Sequence, residues 1–190
     1  MKTEQQYFEQ GTSMKDYMDN MSQLREESFT IYDAFDVPEE DSFINQLKAA
    51  NVHILTITED WCGDAMLNNP IIRKTAEAAD VEIRTVLRDE DTDLIDRHLT
   101  NGGRAIPIYL VLNATGEIVA KWGPRAPKLQ QMVIEGRAKL PAQDEEGFAE
   151  AQKQFYTVIR NRYVSDIEIW REVYESFKDT VGKALVAKEV

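Results

Sequence analysis

Cysteine is the scarcest reactive group in this chain of 190 residues, which contains a single one, Cys62. One cysteine excludes an internal disulfide, and a free thiol fits a reducing compartment better than an oxidising one. A chain of this length can bury enough surface to form one domain without such cross-links. We therefore expect a cytoplasmic protein whose fold depends on its hydrophobic core.

Positive charge is also in short supply, with 22 Lys and Arg residues against 34 Asp and Glu residues and a net charge of -12. Such a chain repels phosphate backbones and anionic lipid surfaces, so we expect neither nucleic acid nor a membrane as a partner. No apolar run reaches the roughly 18 residues of a membrane span. The polar first twenty residues also lack the apolar core of a secretory signal, and we expect none.

Histidine is nearly as rare, and the two residues, His53 and His98, stand at no spacing that is typical of metal ligands. We interpret both as structural and expect no metal site. The acidic stretch RDEDTD lacks the glycine and the final glutamate of a calcium loop. Acidic residues at the start of a helix explain it better.

The first zone of the chain is predicted to be helical. In SMKDYMDNMSQLREES, Ser13 and Asp16 have the spacing of a capping box, and Met14, Met18 and Met21 recur at helical intervals. Such a stripe can form a partner surface, but packing against the protein's own core is the more common use of methionine. A second short helix is predicted after Pro38.

The middle zone alternates strand and helix signals, which predicts an α/β fold with a central mixed sheet flanked by helices on both faces. The predicted order is the strand VHILTI, a helix from Cys62 to Ala79, the strand VEIRTVL, the helix TDLIDRHL, a hairpin in IPIYLVLNATGEIVAKW and a closing helix in PKLQQMVIEGRAKL.

The tail is predicted to form two amphipathic helices. Ser165 and Glu168 have capping-box spacing, which indicates a helical hairpin that reverses near Ser165. The hairpin can fold back on the domain to bury its aromatic residues or can form a dimer, and the first alternative is favoured. The oligomeric state stays open. The predicted division is an N-terminal helical extension over 1–34, an α/β domain over 35–140 and a C-terminal helical extension over 141–190.

Cys62 lies between a buried strand and a helix, near the helix N-terminus. Unpaired backbone N–H groups and the helix dipole favour a thiolate there, by roughly 0.3 to 1 kcal/mol. Three nearby carboxylates, Glu59, Asp60 and Asp64, would oppose the thiolate by a similar amount. The reactivity of Cys62 is therefore left open by the residues alone.

A proline marks the start of a later strand, in NGGRAIPIYL. A cis Ile106–Pro107 bond would turn the chain there and present the backbone of Ile106 as a docking edge for a peptide or a small thiol compound. The alternative is an ordinary trans proline at a strand edge.

Together these features resemble the thioredoxin superfamily. The segment WCGDA is similar to the family's Trp-Cys-Gly-x-Cys motif, Pro70 to the proline of its active-site helix, and Pro107 to its cis-proline. The resemblance covers about residues 35–140, and the WCGD motif with KWGPRAP resembles a little-characterised bacterial group of thioredoxin-like proteins. It implies a thioredoxin-like fold with an extra N-terminal helix and a C-terminal helical hairpin.

The resemblance also implies a redox site without a cofactor. The implied catalytic residue is Cys62, and the implied substrate-binding residues are Trp61, Gly63, Asp64, Ile106 and Pro107. Arg125, in the turn predicted within KWGPRAP, is either a ligand for an anionic substrate group or a solvated side chain, the second being the more common case. An iron–sulfur cluster held between two subunits, as in monothiol glutaredoxins, is a less favoured hypothesis.

Two departures from the family pattern shape the functional hypotheses. Ala65 stands where the family has its second, resolving cysteine, and Thr56 stands where thioredoxins have a buried acid. A dithiol catalyst releases its product when the second sulfur attacks the mixed disulfide, so this chain needs an external thiol for that step. We expect a monothiol thiol–disulfide oxidoreductase whose partner is a disulfide-containing protein or a low-molecular-weight thiol. The alternative is a redox-inactive binding or adaptor module.

Overall fold

A computed structural model describes residues 1–188. Within them the chain forms nine helices and five strands in an α/β arrangement. In chain order the elements are α1 (Glu4–Gln10), β1 (Thr12–Ser13), α2 (Met14–Asp19), α3 (Arg25–Ala34), α4 (Ser42–Ala49), β2 (His53–Thr58), α5 (Gly63–Ala78), β3 (Ile83–Leu87), α6 (Thr92–Asp96), β4 (Ile108–Leu112), β5 (Ile118–Trp122), α7 (Pro127–Arg137), α8 (Phe148–Ser165) and α9 (Ile167–Lys188).

The five strands form one mixed sheet in the order β1-β3-β2-β4-β5. Strand β2 pairs with β3 in parallel, through the crossover helix α5, and with β4 in antiparallel orientation. The β4–β5 hairpin turns at Gly116, whose positive φ of 82° suits glycine. The predicted mixed sheet is confirmed.

Alternating side chains of the sheet supply two separate cores, one on each face. On β2, Ile54 belongs to the larger core beneath α3, α5 and α9, whereas Leu55 and Ile57 belong to the smaller core with α1 and α6. Because successive strand residues point to opposite faces, an apolar run such as HILTIT requires cover on both sides. The helices on both faces are therefore confirmed.

The N-terminal zone corrects one prediction, because the helix predicted through SMKDYMDNMSQLREES is two helices. Ser13 caps α2 by accepting a hydrogen bond from the Asp16 N–H at 3.0 Å, as its spacing indicated. The chain then leaves the helix because the Asp60 carboxylate accepts hydrogen bonds from the N–H and hydroxyl groups of Ser22. Leu24 adopts a left-handed conformation before α3 begins.

The methionine stripe of this zone packs inward, as favoured from the sequence, with Met14, Met18 and Met21 all buried. Strand β1 adds a short edge to the sheet by pairing with β3. The first zone therefore contributes a strand as well as helices, and the boundaries 1–34, 35–140 and 141–190 remain a prediction.

The C-terminal hairpin folds back on the sheet. Phe177 of α9 makes edge contacts with the rings of Trp122 and Tyr109, at centroid distances of 5.8 and 6.4 Å. The reversal between α8 and α9 lies one residue later than predicted, because the Asp166 side chain, not that of Ser165, accepts from the Glu168 N–H. None of the helices described within residues 1–188 is both long and apolar enough to cross a membrane.

Candidate functional site

Cys62 occupies the position that the sequence predicts, at the junction of β2 and α5. It is the N-cap residue of α5, with extended φ and ψ of -83° and 121°, and Pro70 lies inside that helix. A polar turn after Thr58 brings the chain from the centre of the sheet to the helix start. The first backbone N–H groups of α5 therefore lie beside the sulfur.

The thiol is nevertheless largely covered, with 8% of the residue exposed. It packs in the smaller core beside Ala65 and Ile106, and it donates a hydrogen bond to the Ile106 carbonyl oxygen with an Sγ–O distance of 3.5 Å. The Ile106–Pro107 bond is cis, as predicted from the sequence. The structure thus places the cysteine directly at the backbone that precedes the cis-proline.

Burial decides the protonation of Cys62. Loss of solvent raises the pKa of the thiol to about 11, and the charge of Asp64 adds to the rise. The N–H groups of Ala65 and Asp64 and the Arg125 guanidinium lower the same pKa but do not outweigh burial. The helix N-terminus is therefore too weak to make Cys62 a thiolate at neutral pH, which resolves the question that the sequence left open.

The other two acids of the motif region are engaged elsewhere. Glu59 accepts a hydrogen bond from the Asp89 N–H at 2.8 Å, and Asp60 holds the loop at Ser22. Burial raises the pKa of Glu59, whereas the hydrogen bonds from the loop lower that of Asp60 in spite of its partial burial. Of the three carboxylates flagged from the sequence, Asp64 is the one that acts on the thiol.

Asp64 forms a two-point ion pair with Arg125. The guanidinium Nε lies 2.9 Å from Oδ1 and an Nη lies 2.7 Å from Oδ2, and both side chains are less than one fifth exposed. The Tyr163 hydroxyl donates to the same Oδ1 at 3.2 Å. Burial raises the pKa of Asp64, while the two donors favour its charged form. Arg125 is thus neither solvated nor free for a ligand, contrary to both sequence interpretations.

A cleft of about 250 Å³ opens beside Cys62. It is lined by Trp61, Gly63 and Asp64 of the motif and by residues of α8. Trp61 is 44% exposed and carries the Arg88 guanidinium 4.9 Å above its ring. The remaining lining residues are Leu24, Arg125, Val133, Tyr156, Ile159, Arg160 and Tyr163.

The implied substrate-binding residues are divided between two positions. Trp61, Gly63 and Asp64 line the cleft with Cys62. The Ile106 carbonyl oxygen accepts a hydrogen bond from the Cys62 thiol, the Pro107 carbonyl lies against Gly123, and neither residue lines the cleft. That both groups bind substrate remains a prediction.

The α8 side of the cleft was missed from the sequence. Ile159 and Tyr163 belong to the apolar stripe of the first amphipathic helix that the sequence predicts for the tail, but nothing in their spacing indicates that they line a cleft with a cysteine about a hundred residues earlier. The aromatic and basic side chains interleaved with that stripe, Tyr156 and Arg160, were the available signal. These two polar side chains interrupt the apolar face of α8.

Thr56 lies in the interior of the sheet with no exposed surface, and its hydroxyl oxygen has no hydrogen-bond partner among the described residues. A hydroxyl group titrates far outside the physiological range, so it does not supply a proton carrier in place of an acid. This arrangement agrees with Ala65, which leaves no second sulfur to deprotonate.

A larger groove of about 690 Å³ lies between the N-terminal helices and β3, away from the thiol. Two of its acidic residues are engaged within the protein, since Asp60 accepts hydrogen bonds from Ser22 and Asp91 accepts one from the Tyr7 hydroxyl at 2.8 Å. Within residues 1–188, no three His, Cys, Asp or Glu side chains come together as metal ligands. Among the described residues, Cys62 is therefore the strongest candidate for a reactive group.

The motif geometry, the cis-proline and the sheet order agree with a comparison of the sequence with protein families. A family model described as thioredoxin matches residues 11–144, which is well over half of the chain. The chain belongs to this thioredoxin family. The match includes the motif, the cis-proline and the β4–β5 hairpin, whereas α8 and α9 lie beyond it.

Solved structures support the same fold for this thioredoxin-family protein. A crystal structure of a protein of unknown function from Pseudomonas aeruginosa has 15% identity and a TM-score of 0.60, over 88% of this chain and 98% of that one. An HIV epitope scaffold has 14% identity and a TM-score of 0.57, over 92% and 99%. No curated protein sequence matches the chain significantly. At these identities the likeness concerns the fold alone.

Proposed function

We propose that this thioredoxin-family protein is a monothiol thiol–disulfide oxidoreductase. The Cys62 thiolate attacks one sulfur of a disulfide, forms a mixed disulfide and releases the other sulfur as a thiolate, which takes up a proton. An external thiol then attacks the mixed disulfide, regenerates Cys62 and leaves as a new disulfide. The substrate disulfide is the oxidant and the external thiol is the reductant.

The observation that carries the proposal is the placement of Sγ beside the Ile106 carbonyl oxygen at 3.5 Å, at the edge of an open cleft. A thiol buried for packing alone has no reason to lie against a cleft lined by an exposed tryptophan. Ala65 supports a monothiol mechanism, because Cys62 is the single cysteine of the sequence and no second thiol can resolve the mixed disulfide.

The raised pKa sets the speed of this chemistry. At pH 8 a thiol with a pKa of about 11 is ionised in about one molecule in a thousand. Its thiolate is more nucleophilic than that of an ordinary cysteine, which recovers part of the loss. The native protein should therefore react roughly tenfold to a hundredfold more slowly than the unfolded chain, and faster as the pH rises.

Intact-mass measurements test the proposal. The folded protein is incubated with 2-hydroxyethyl disulfide at pH 8, followed by an added small thiol, and the adduct is followed over hours. We expect one adduct that the second thiol removes, and none in the Cys62→Ser variant. A folded protein that stays unmodified, while the urea-unfolded chain reacts, would rule the proposal out.

A redox-inactive binding module is the second candidate, and the high pKa of Cys62 together with Ala65 favours it. In this case the cleft binds a partner without forming a covalent bond. Proteins captured by the wild type and by Cys62→Ser in the presence of a reductant separate the two functions. Equal capture by both variants supports the module, and loss on this nearly isosteric change supports thiol chemistry.

A further inference from the structure

Arg160 differs from every other arginine that the structure describes. Each of the others makes a hydrogen bond, an ion pair or both, as Arg125 does with Asp64 and Arg162 does with Asp166 at 3.1 Å. Within residues 1–188, Arg160 has no such partner. It is nonetheless partly buried, and it lines the cleft that contains Cys62.

An unpaired arginine is unexpected in this chain, in which acidic residues outnumber basic ones by 34 to 22. The guanidinium of Arg160 keeps N–H donors that no described residue accepts from, and an anion that binds there supplies the missing partner. Its planar donors match a carboxylate in a two-point arrangement. The position is therefore suited to an anionic ligand that the protein itself does not supply.

The other charged side chains of the cleft do not neutralise the charge of Arg160. Asp64 and Arg125 cancel each other through their two-point pair, so neither attracts an ion into the cleft. Arg160 then gives the cleft a local positive charge within a strongly acidic protein. Substrates with a negative group are favoured there, and those with a positive group are disfavoured.

The size of the cleft restricts the ligand further. About 250 Å³ lies just below the roughly 300 to 1,000 Å³ that is typical of small-molecule pockets. Ile159 and Tyr163 of α8 line this small space together with the motif, and a volume of that size suits a short ligand better than an extended peptide. Trp61 and Val133 provide apolar contact for a short carbon skeleton.

We propose that the cleft selects small disulfides that carry a carboxylate, which pairs with Arg160 while the neighbouring sulfur is attacked by Cys62. This inference rests on the mixed-disulfide chemistry proposed above. The Cys62 thiolate bonds to the sulfur of the carboxylate-bearing half, the disulfide bond breaks, and the other half leaves as a thiolate that is protonated by water. An external thiol completes the exchange.

Three symmetric disulfides of similar length test the selectivity: dithiodipropionate, 2-hydroxyethyl disulfide and cystamine. Intact-mass time courses at pH 8 and low salt give the adduct rate for each. We expect the wild type to react with the carboxylate compound about tenfold faster than with the neutral one, the size of one charge-assisted contact. The amine compound should be the slowest.

The variant Arg160→Gln should lower the ratio of the rate with dithiodipropionate to the rate with the neutral disulfide about tenfold. Arg162→Gln is the matched control, because it removes the same charge from the same helix at a residue paired with Asp166. It should leave the preference unchanged. Arg160→Lys keeps the positive charge without the planar guanidinium, and it should retain part of the preference for dithiodipropionate.

The outcomes separate this inference from the proposed function. Equal rates with all three disulfides, or an equal loss with all three in Arg160→Gln, overturn the selectivity while leaving the monothiol chemistry intact. No adduct with any disulfide overturns both. A binding measurement on Cys62→Ser with dithiodipropionate, by calorimetry, supports the inference if Arg160→Gln weakens binding and contradicts it if the affinity is unaffected.

Discussion

Asp64, two residues after Cys62, forms a two-point ion pair with Arg125, with N–O distances of 2.9 and 2.7 Å. The pair ties the start of α5 to the turn before α7 and places a negative and a positive charge next to the thiol. Asp64 raises the pKa of Cys62 and Arg125 lowers it. The balance between them provides a direct way to change the reactivity of the cysteine.

Replacing Asp64 with Asn should make Cys62 more reactive. The change removes the negative charge and leaves the Arg125 charge uncompensated, so the pKa of the thiol falls below about 11. We expect alkylation by iodoacetamide at pH 8 to accelerate about threefold for a shift of about one pKa unit, because the thiolate fraction rises about tenfold while the nucleophilicity of the thiolate falls. Asp60→Asn is the control, since Asp60 is held at Ser22 and should change the rate little.

Replacing Arg125 with Gln should destabilise the fold, because Asp64 is then buried without its partner. Removing one member of a buried ion pair costs about 3 kcal/mol. Urea unfolding should show this loss, and the double variant Asp64→Asn/Arg125→Gln should recover much of it. Arg171→Gln breaks the exposed pair with Glu168 and should cost less than about 1 kcal/mol. Equal losses for Arg125→Gln and Arg171→Gln would contradict a role for burial.

Two glycines at the site should respond in opposite ways to alanine. Gly123 has a φ of 115°, and a Cβ there would collide with the Pro107 carbonyl oxygen, so Gly123→Ala should destabilise the protein by about 2 kcal/mol or more. Gly63 begins α5 with open space around it, and Gly63→Ala should be neutral or stabilising by up to about 1 kcal/mol. Thermal unfolding of both variants measures the difference. A comparable loss in Gly63→Ala would show that the motif is more crowded than described.

Alkaline pH should destabilise the wild type more than Cys62→Ser. The folded state keeps the thiol protonated up to about pH 11, whereas the unfolded chain ionises it near pH 8.5 to 9. The stabilisation from the protonated thiol is complete below the unfolded pKa and is lost as the pH rises to about 11. Urea unfolding of both proteins from pH 8 to 11 should show an extra loss of about 2 kcal/mol in the wild type. Parallel pH profiles would contradict the raised pKa.

The sequence predicted the elements that depend on local pattern. The apolar run HILTIT, the turn and the helix-forming segment after Cys62 are sufficient to place the thiol at the start of α5. The cis form of the Ile106–Pro107 bond, in contrast, was expected from the family resemblance, because local pattern alone favours a trans proline. Resemblance to a known family added the order in which these pieces meet.

The errors come from contacts between residues distant in sequence. The helix predicted across Leu24 is interrupted where Asp60, 38 residues after Ser22, accepts hydrogen bonds from the backbone N–H and the hydroxyl group of Ser22. Asp64 pairs with Arg125, which lies 61 positions later in the sequence. A periodic pattern predicts which face of a helix is buried, but it does not identify the residues that pack against that face. For the same reason the sequence did not predict that α8 lines the cleft, because the position of α8 next to Cys62 results from tertiary packing.

The most direct test of the monothiol proposal is the intact mass of the folded protein after incubation with 2-hydroxyethyl disulfide across pH 7.5 to 10. We expect a single adduct on Cys62 that forms about tenfold faster for each pH unit, because the thiolate fraction of a group with a pKa of about 11 rises in that proportion. A second small thiol should remove it. A protein that remains unmodified at every pH while folded, yet reacts after unfolding, would contradict the proposal and leave the thioredoxin fold with a binding role.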